Sequence, residues 1–148
     1  MSRTYSALHY HLVFGTKNRE PFIKPEWQPR FHEYLGGTVN GLGGVSQGVG
    51  GVADHVHLLI GLKPVHCLAD MMREIKKASN AWMRDELGVR QFAWQEGYAA
   101  FTVSATARGR VRKYIANQAI HHAQQSFHDE MIGMLKRAEI DYDEAYVC

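Results

Sequence analysis

The apolar positions of this chain recur alternately with a period of two, as on strands, and a period of three to four, as on helices. Over residues 5–16, Leu8, Tyr10, Leu12 and Phe14 alternate with His9, His11 and Gly15, which predicts a strand whose pattern Val13 blurs. Over residues 25–40, Trp27, Phe31, Tyr34 and Leu35 fall at helical spacing, with Pro25 in the first turn and Gly36-Gly37 weakening or ending the helix. A glycine-rich run follows and predicts a tight turn, then a strand over 45–52 hairpinned to another over 54–61. In that third strand Val56, Leu58 and Ile60 share one face, and His55 and His57 share the other. Lys63-Pro64 ends it. A helix is predicted over 67–87, buried through Leu68, Met72, Ile75, Ser79, Trp82 and Met83 and closed by Gly88. A last strand over 98–103 lies among Trp94, Tyr98 and Phe101, which read as packing residues. Then come a helix over 105–124 and a short one over 126–138, capped by Ser126, with Asp129 and Glu130 in its first turn. The acidic, aromatic tail over 140–148 is expected to pack on the surface.

The order β-α-β-β-α-β-α predicts an α+β fold, a ferredoxin-like or RRM-like antiparallel sheet with helices on one face and His55 and His57 on the other. At 148 residues the chain is expected to form a single domain, 1–148. Hydrophobic residues make up 45% and charged residues 22%, an ordinary globular composition. No apolar run approaches a membrane span and the N-terminus lacks a signal-peptide core, so a cytoplasmic protein with no membrane partner is expected. Cys67 and Cys148 are too few for a disulfide framework; Cys67 reads as a packing residue and Cys148 as a tail residue. A net charge of +2 does not itself point to nucleic acid, so a local basic surface would have to carry such binding.

Candidate chemistry sits in two stretches. His55 and His57 lie side by side with the reach to hold one metal ion, although a histidine pair on a strand is more often just the polar side of a half-buried sheet. On the helix over 105–124, Tyr114 and Gln118 are four apart, so a hydroxyl and an amide oxygen can approach the same ion. The glycine run carries no Gly-Lys-Ser/Thr and does not fit a phosphate-binding loop. Candidate DNA contacts are Lys17 and Arg19 at the first strand's exit, Arg73, Lys76 and Lys77 on the polar face of the 67–87 helix, and Arg112 and Lys113 beside the tyrosine. Each also reads as a solvated cation.

His-Val-His on a strand, with Tyr-Ile-Ala-Asn-Gln on a later helix, resembles the single-tyrosine HUH transposases. These are small enzymes of bacterial insertion sequences, with relatives associated with repetitive extragenic palindromes. His11 to Pro21 resembles the family's first strand and its exit, and Phe92 to Tyr98 resembles the approach to its last core strand. The resemblance implies that Tyr114 attacks single-stranded DNA at hairpin-marked ends, leaving a 5′-phosphotyrosine link and a free 3′-OH. It implies that His55, His57 and Gln118 hold Mg2+ or Mn2+. It also implies that the tyrosine helix docks over the open face, of its own or of the partner subunit, in a homodimer with composite active sites. His9 and His11 read as sheet-face residues; His121 and His122 could replace or assist Gln118, but two turns beyond Tyr114 they read rather as solvated or DNA-facing. Asp54 points away from both histidines and is left to orient a neighbour or cap the turn. The alternatives are a non-catalytic, domesticated nucleic-acid-binding module on the same fold, and a zinc hydrolase, for which no His-Glu-x-x-His pattern is present.

Overall fold

The computed structural model describes residues 3–147. Strands β1 (Leu8–Gly15), β2 (Val45–Val52), β3 (His55–Leu62) and β4 (Ala99–Val103) form one sheet in the order β2-β3-β1-β4. All neighbours are antiparallel, with Leu12 opposite Leu58, and Gly15 opposite His55. Helices α1 (Gln28–Gly41) and α2 (Leu68–Asp85) cover one face, and α3 (Arg108–Ala116), α4 (Gln118–His122) and α5 (Phe127–Arg137) follow β4. This is the α+β, ferredoxin-like arrangement expected.

Strand alternation sorts the two faces. Leu12 and Phe14 of β1 and Val56, Leu58 and Ile60 of β3 pack against Phe31, Leu35, Met72, Ile75 and Met83 of α1 and α2. Val13 and Ala99 on the opposite face meet Phe127, Met131 and Leu135 of α5, and Leu59 meets Ile115 of α3. That second layer explains why Val13 blurs the pattern of β1 and why every residue of β3 is buried.

Several sequence expectations shift. α1 starts at Gln28, with Pro29 rather than Pro25 in its first turn. Gly36 does not end α1; a Cβ there would lie 3.0 Å from Ser46 Oγ, so it lets the helix close on β2. The tyrosine helix is interrupted at Asn117 (φ −99°, ψ 22°), which separates α3 from α4. Cys67 is exposed at the start of α2, not packed. Cys148 lies outside the described residues. The capping role of Ser126 is present, its Oγ accepting from Asp129 N at 3.1 Å. Among the described residues, no helix is long and apolar enough to cross a membrane.

Candidate active site

β3 presents His55 and His57 to the face away from the α1–α2 core, and both are fully buried. Each imidazole is fixed from behind. His55 Nδ1 lies 2.8 Å from Asp54 Oδ1, and His57 Nδ1 lies 2.8 Å from His11 Nε2. With the rear nitrogens occupied, both Nε2 atoms are turned to a common centre, the orientation that outer hydrogen bonds impose on metal-ligating histidines. Asp54 thus takes the orienting role left open for it. His11 is a supporting residue rather than a plain sheet-face one.

Three further groups close the centre. Gln118 Oε1 lies 3.1 Å from His55 Nε2 and 3.0 Å from His122 Nε2. Glu130 Oε1 lies 3.1 Å from both His57 Nε2 and His122 Nε2, and 3.5 Å from His55 Nε2. Tyr114 donates its hydroxyl to Glu130 Oε2, and Gln118 Nε2 donates to the same oxygen at 3.2 Å. His55, His57, His122 and Glu130 each offer one donor atom, all within 4.8 Å of one another. Three imidazole nitrogens and a carboxylate, with an amide oxygen beside them, fit a divalent cation.

Glu130 is 2% exposed, and its burial would raise its pKa. Hydrogen bonds from His55 and His57 override that and hold it well below the usual carboxylate range. Burial lowers His57 to about 4 and His11 to about 3, so both are neutral and His57 can serve as a ligand. For His55 burial acts downward too, but the Asp54 carboxylate, with Glu130, raises it. Burial and the neighbouring Glu130 carboxylate push the Tyr114 phenol up. A dication beside Glu130 would reverse that bias toward the phenolate.

The tyrosine reaches this centre because β2 is bare where α3 crosses it. Gly48 and Gly50 oppose Leu59 and His57, on the histidine face. A Cβ on Gly50 would lie 2.1 Å from the Ile115 carbonyl oxygen, and one on Gly48 would lie 3.4 Å from Arg112 Cγ. Arg112 Nε donates to Gln47 O at 2.7 Å and pins the helix there. The glycine run therefore seats the chain's own helix, and one chain supplies every group of the centre.

Of the sequence candidates, His55, His57, Tyr114 and Gln118 are brought together. Lys17 and Arg19 stand exposed at the exit of β1, just beyond the Gly15–His55 pair, and Lys113 is exposed on α3. Arg73 and Lys77 are exposed on α2, over the opposite face. Lys76 is not the free cation expected, because its Nζ donates to the carbonyls of Gln95 and Gly97. Sequence reasoning missed Glu130, and for His122 it favoured a solvated or DNA-facing place over the role beside Gln118 that the structure gives it. A signal for Glu130 was present: it falls on the stripe Phe127, Met131, Met134, where a lone carboxylate among apolar residues needs a buried partner.

Clustered imidazoles, a carboxylate and a tyrosine on the open face of a ferredoxin-like sheet define a candidate metal-assisted transfer site. The family model described as Transposase IS200 like matches residues 4–118, and the chain belongs to that family. The chain is 29% identical over 118 residues to the ISDra2 transposase TnpA of Deinococcus radiodurans, covering 75% of this chain and 84% of that protein. The crystal structure of a putative transposase from Deinococcus radiodurans R1 superposes with a TM-score of 0.65 at 29% identity, covering 80% of this chain and 96% of the other. A REP-associated tyrosine transposase bound to a REP hairpin matches with a TM-score of 0.60 at 14% identity, over 82% of this chain and 73% of that one, and supports the fold alone.

Proposed function

We propose that this transposase cuts and rejoins single-stranded DNA at hairpin-marked ends, with Tyr114 as the covalent nucleophile. The observation that carries the reading is the bridging carboxylate: Glu130 accepts from the Tyr114 hydroxyl with Oε2 and lies 3.1 Å from His57 Nε2 with Oε1. Nucleophile and ligand set are thereby coupled through one side chain. His55, His57 and Gln118 would hold Mg2+ or Mn2+, completed by Glu130 and His122. When bound, the cation supplies charge neutralisation at the scissile phosphate.

Tyr114 Oη attacks the phosphorus, its proton passing to the acceptor already in place at Glu130 Oε2. The P–O3′ bond breaks, and the departing oxygen takes up a proton as a free 3′-OH. The 5′ phosphate stays esterified to the tyrosine. Attack by a 3′-OH on that ester runs the same steps backward and rejoins a strand without ATP. Lys17, Arg19, Arg112 and Lys113 would meet the DNA backbone. Pairing of two chains in the expected homodimer would bring together two such sites, one for each DNA end.

The test is a denaturing gel. The protein is mixed with 5′- or 3′-labelled single-stranded oligonucleotides carrying the DNA that flanks its gene, with Mn2+, Mg2+ or chelator. A metal-dependent protein–DNA band retaining only the label 3′ of the cut is expected. Tight binding without any adduct would move the assignment to a binding module.

A further inference from the structure

A pocket of about 340 Å3 opens beside the cluster, between the end of β1, residues 95–98, α5 and the C-terminal tail. Its floor is apolar, with Val13, Ala99, Met131 and Leu135. It begins one ring away from the metal centre. Phe127, which lines it, stacks on His55 with ring centroids 4.0 Å apart and planes at 8°. Gly15 makes this junction possible: a Cβ there would lie 3.0 Å from the Phe127 ring and 3.6 Å from Gln95 Oε1.

The polar fittings are few. Gln95 lines the pocket, with its backbone carbonyl held by Lys76 Nζ. Tyr98 and Tyr146 line it as well and are 41% and 83% exposed. A second groove shares Gln95, Glu96 and Tyr146 with the pocket and carries Lys17 and Arg19. An apolar slot of this size takes one planar ring system and not a duplex. Exposed aromatic rings are stacking surfaces for unpaired bases, adjoining cations meet the phosphates, and a side-chain amide can both donate to and accept from a base edge.

We infer that this pocket is a subsite for one unpaired nucleobase of the strand being cut, stacked against Tyr98 and Tyr146 and read by the Gln95 amide. The inference rests on the proposed single-strand chemistry and adds a sequence-reading contact next to the scissile phosphate. Capture of one base there would fix which phosphate lies over His55 and His57.

The test uses full-length protein and the flanking-DNA oligonucleotides after the adduct has located the cut. A single abasic site is walked across the positions on either side of it, and equilibrium binding is measured with the Tyr114→Phe protein, which cannot cleave. One position is expected at which base removal weakens binding about tenfold, the scale of a lost base–aromatic stack. In Tyr114→Phe carrying Gln95→Ala and Tyr98→Ala, substitutions at partly exposed positions, that penalty is expected to shrink below about twofold, the rest of that tenfold effect having gone with the stack. A flat abasic profile, or a penalty undiminished in the substituted protein, overturns the subsite while an adduct leaves the transposition chemistry standing. Failure of any single strand to bind overturns both.

Discussion

The two faces of the sheet are held by different physics. On the α1–α2 side the contacts are mainly shape: Phe31, Trp82, Phe92 and Trp94 interlock edge-to-face or stacked, with cations such as Arg30, over Trp82, only at the margin. On the other side α3, α4 and α5 converge on a single buried carboxylate that meets three histidines, an amide and a phenol. The first face derives its stability from burying apolar area. The second gathers buried polar groups at the Glu130 centre, where each finds a partner. The lesson is a division of labour within one sheet: one side makes the fold, and the other gathers the groups that the proposed chemistry needs.

Substitution of Glu130 should separate the two faces most sharply. Glu130→Gln keeps the side-chain shape but removes the bridging charge. Adduct formation is expected to fall by about a hundredfold or more, with weaker Mn2+ binding by calorimetry and a nearly unchanged circular dichroism spectrum. A fully active Glu130→Gln protein would detach Glu130 from the chemistry. Phe31→Ala should do the reverse. It is expected to cost about 3–5 kcal/mol in urea unfolding, while the protein that remains folded still binds metal.

Two glycines sharpen the contrast at smaller scale. Gly50→Ala forces a methyl into the space of the Ile115 carbonyl. It is expected to cost about 1–3 kcal/mol and to lower adduct yield by moving Tyr114. Gly37→Ala on α1 meets nothing within 4 Å. It is expected to raise the unfolding midpoint, by up to about 1 kcal/mol of helix propensity, with activity unchanged.

The pH response should be smaller and weighted toward the histidine face, where His57 and His11 are both held low, against His32 of α1, half-buried and lowered by that burial to about 4, on the other side. Buried His57 and His11 titrate near 4 and 3, whereas unfolded histidine takes its proton near 6.5. Between about pH 4 and 6.5 the unfolded chain therefore binds more protons, and stability falls as pH falls through that window. Glu130, held low, adds to the loss at the acid end, and His55, held high, partly offsets it. Amide exchange in α3 and α5 is expected to quicken from pH 7 to pH 5 more than exchange in α2. Equal acceleration in all three would remove the distinction between the faces.

The apolar face was largely legible in the sequence, because alternation in β1 and β3 and the spacing in α1 and α2 are local signals. Strand and helix spacing placed His55 beside His57 and Tyr114 beside Gln118, but joining the two pairs into one site rested on the resemblance to the transposase family. Glu130, His122 and His11 were not legible, since their roles arise where separate elements fold against β3. The dipole of α5 gave Glu130 a sufficient local explanation and hid its tertiary one. The glycines of β2 leave that strand bare, and only the packing shows that the chain's own α3 crosses it.

The most direct test is to find the atom that carries the DNA. The adduct formed with Mn2+ is digested with protease and nuclease, and the nucleotide-bearing peptide is sequenced by mass spectrometry. The expected result is a nucleotide joined through its 5′ phosphate to Tyr114, lost with chelator and lost in Tyr114→Phe. A nucleotide on any other residue, or an adduct indifferent to metal, would contradict the site described here.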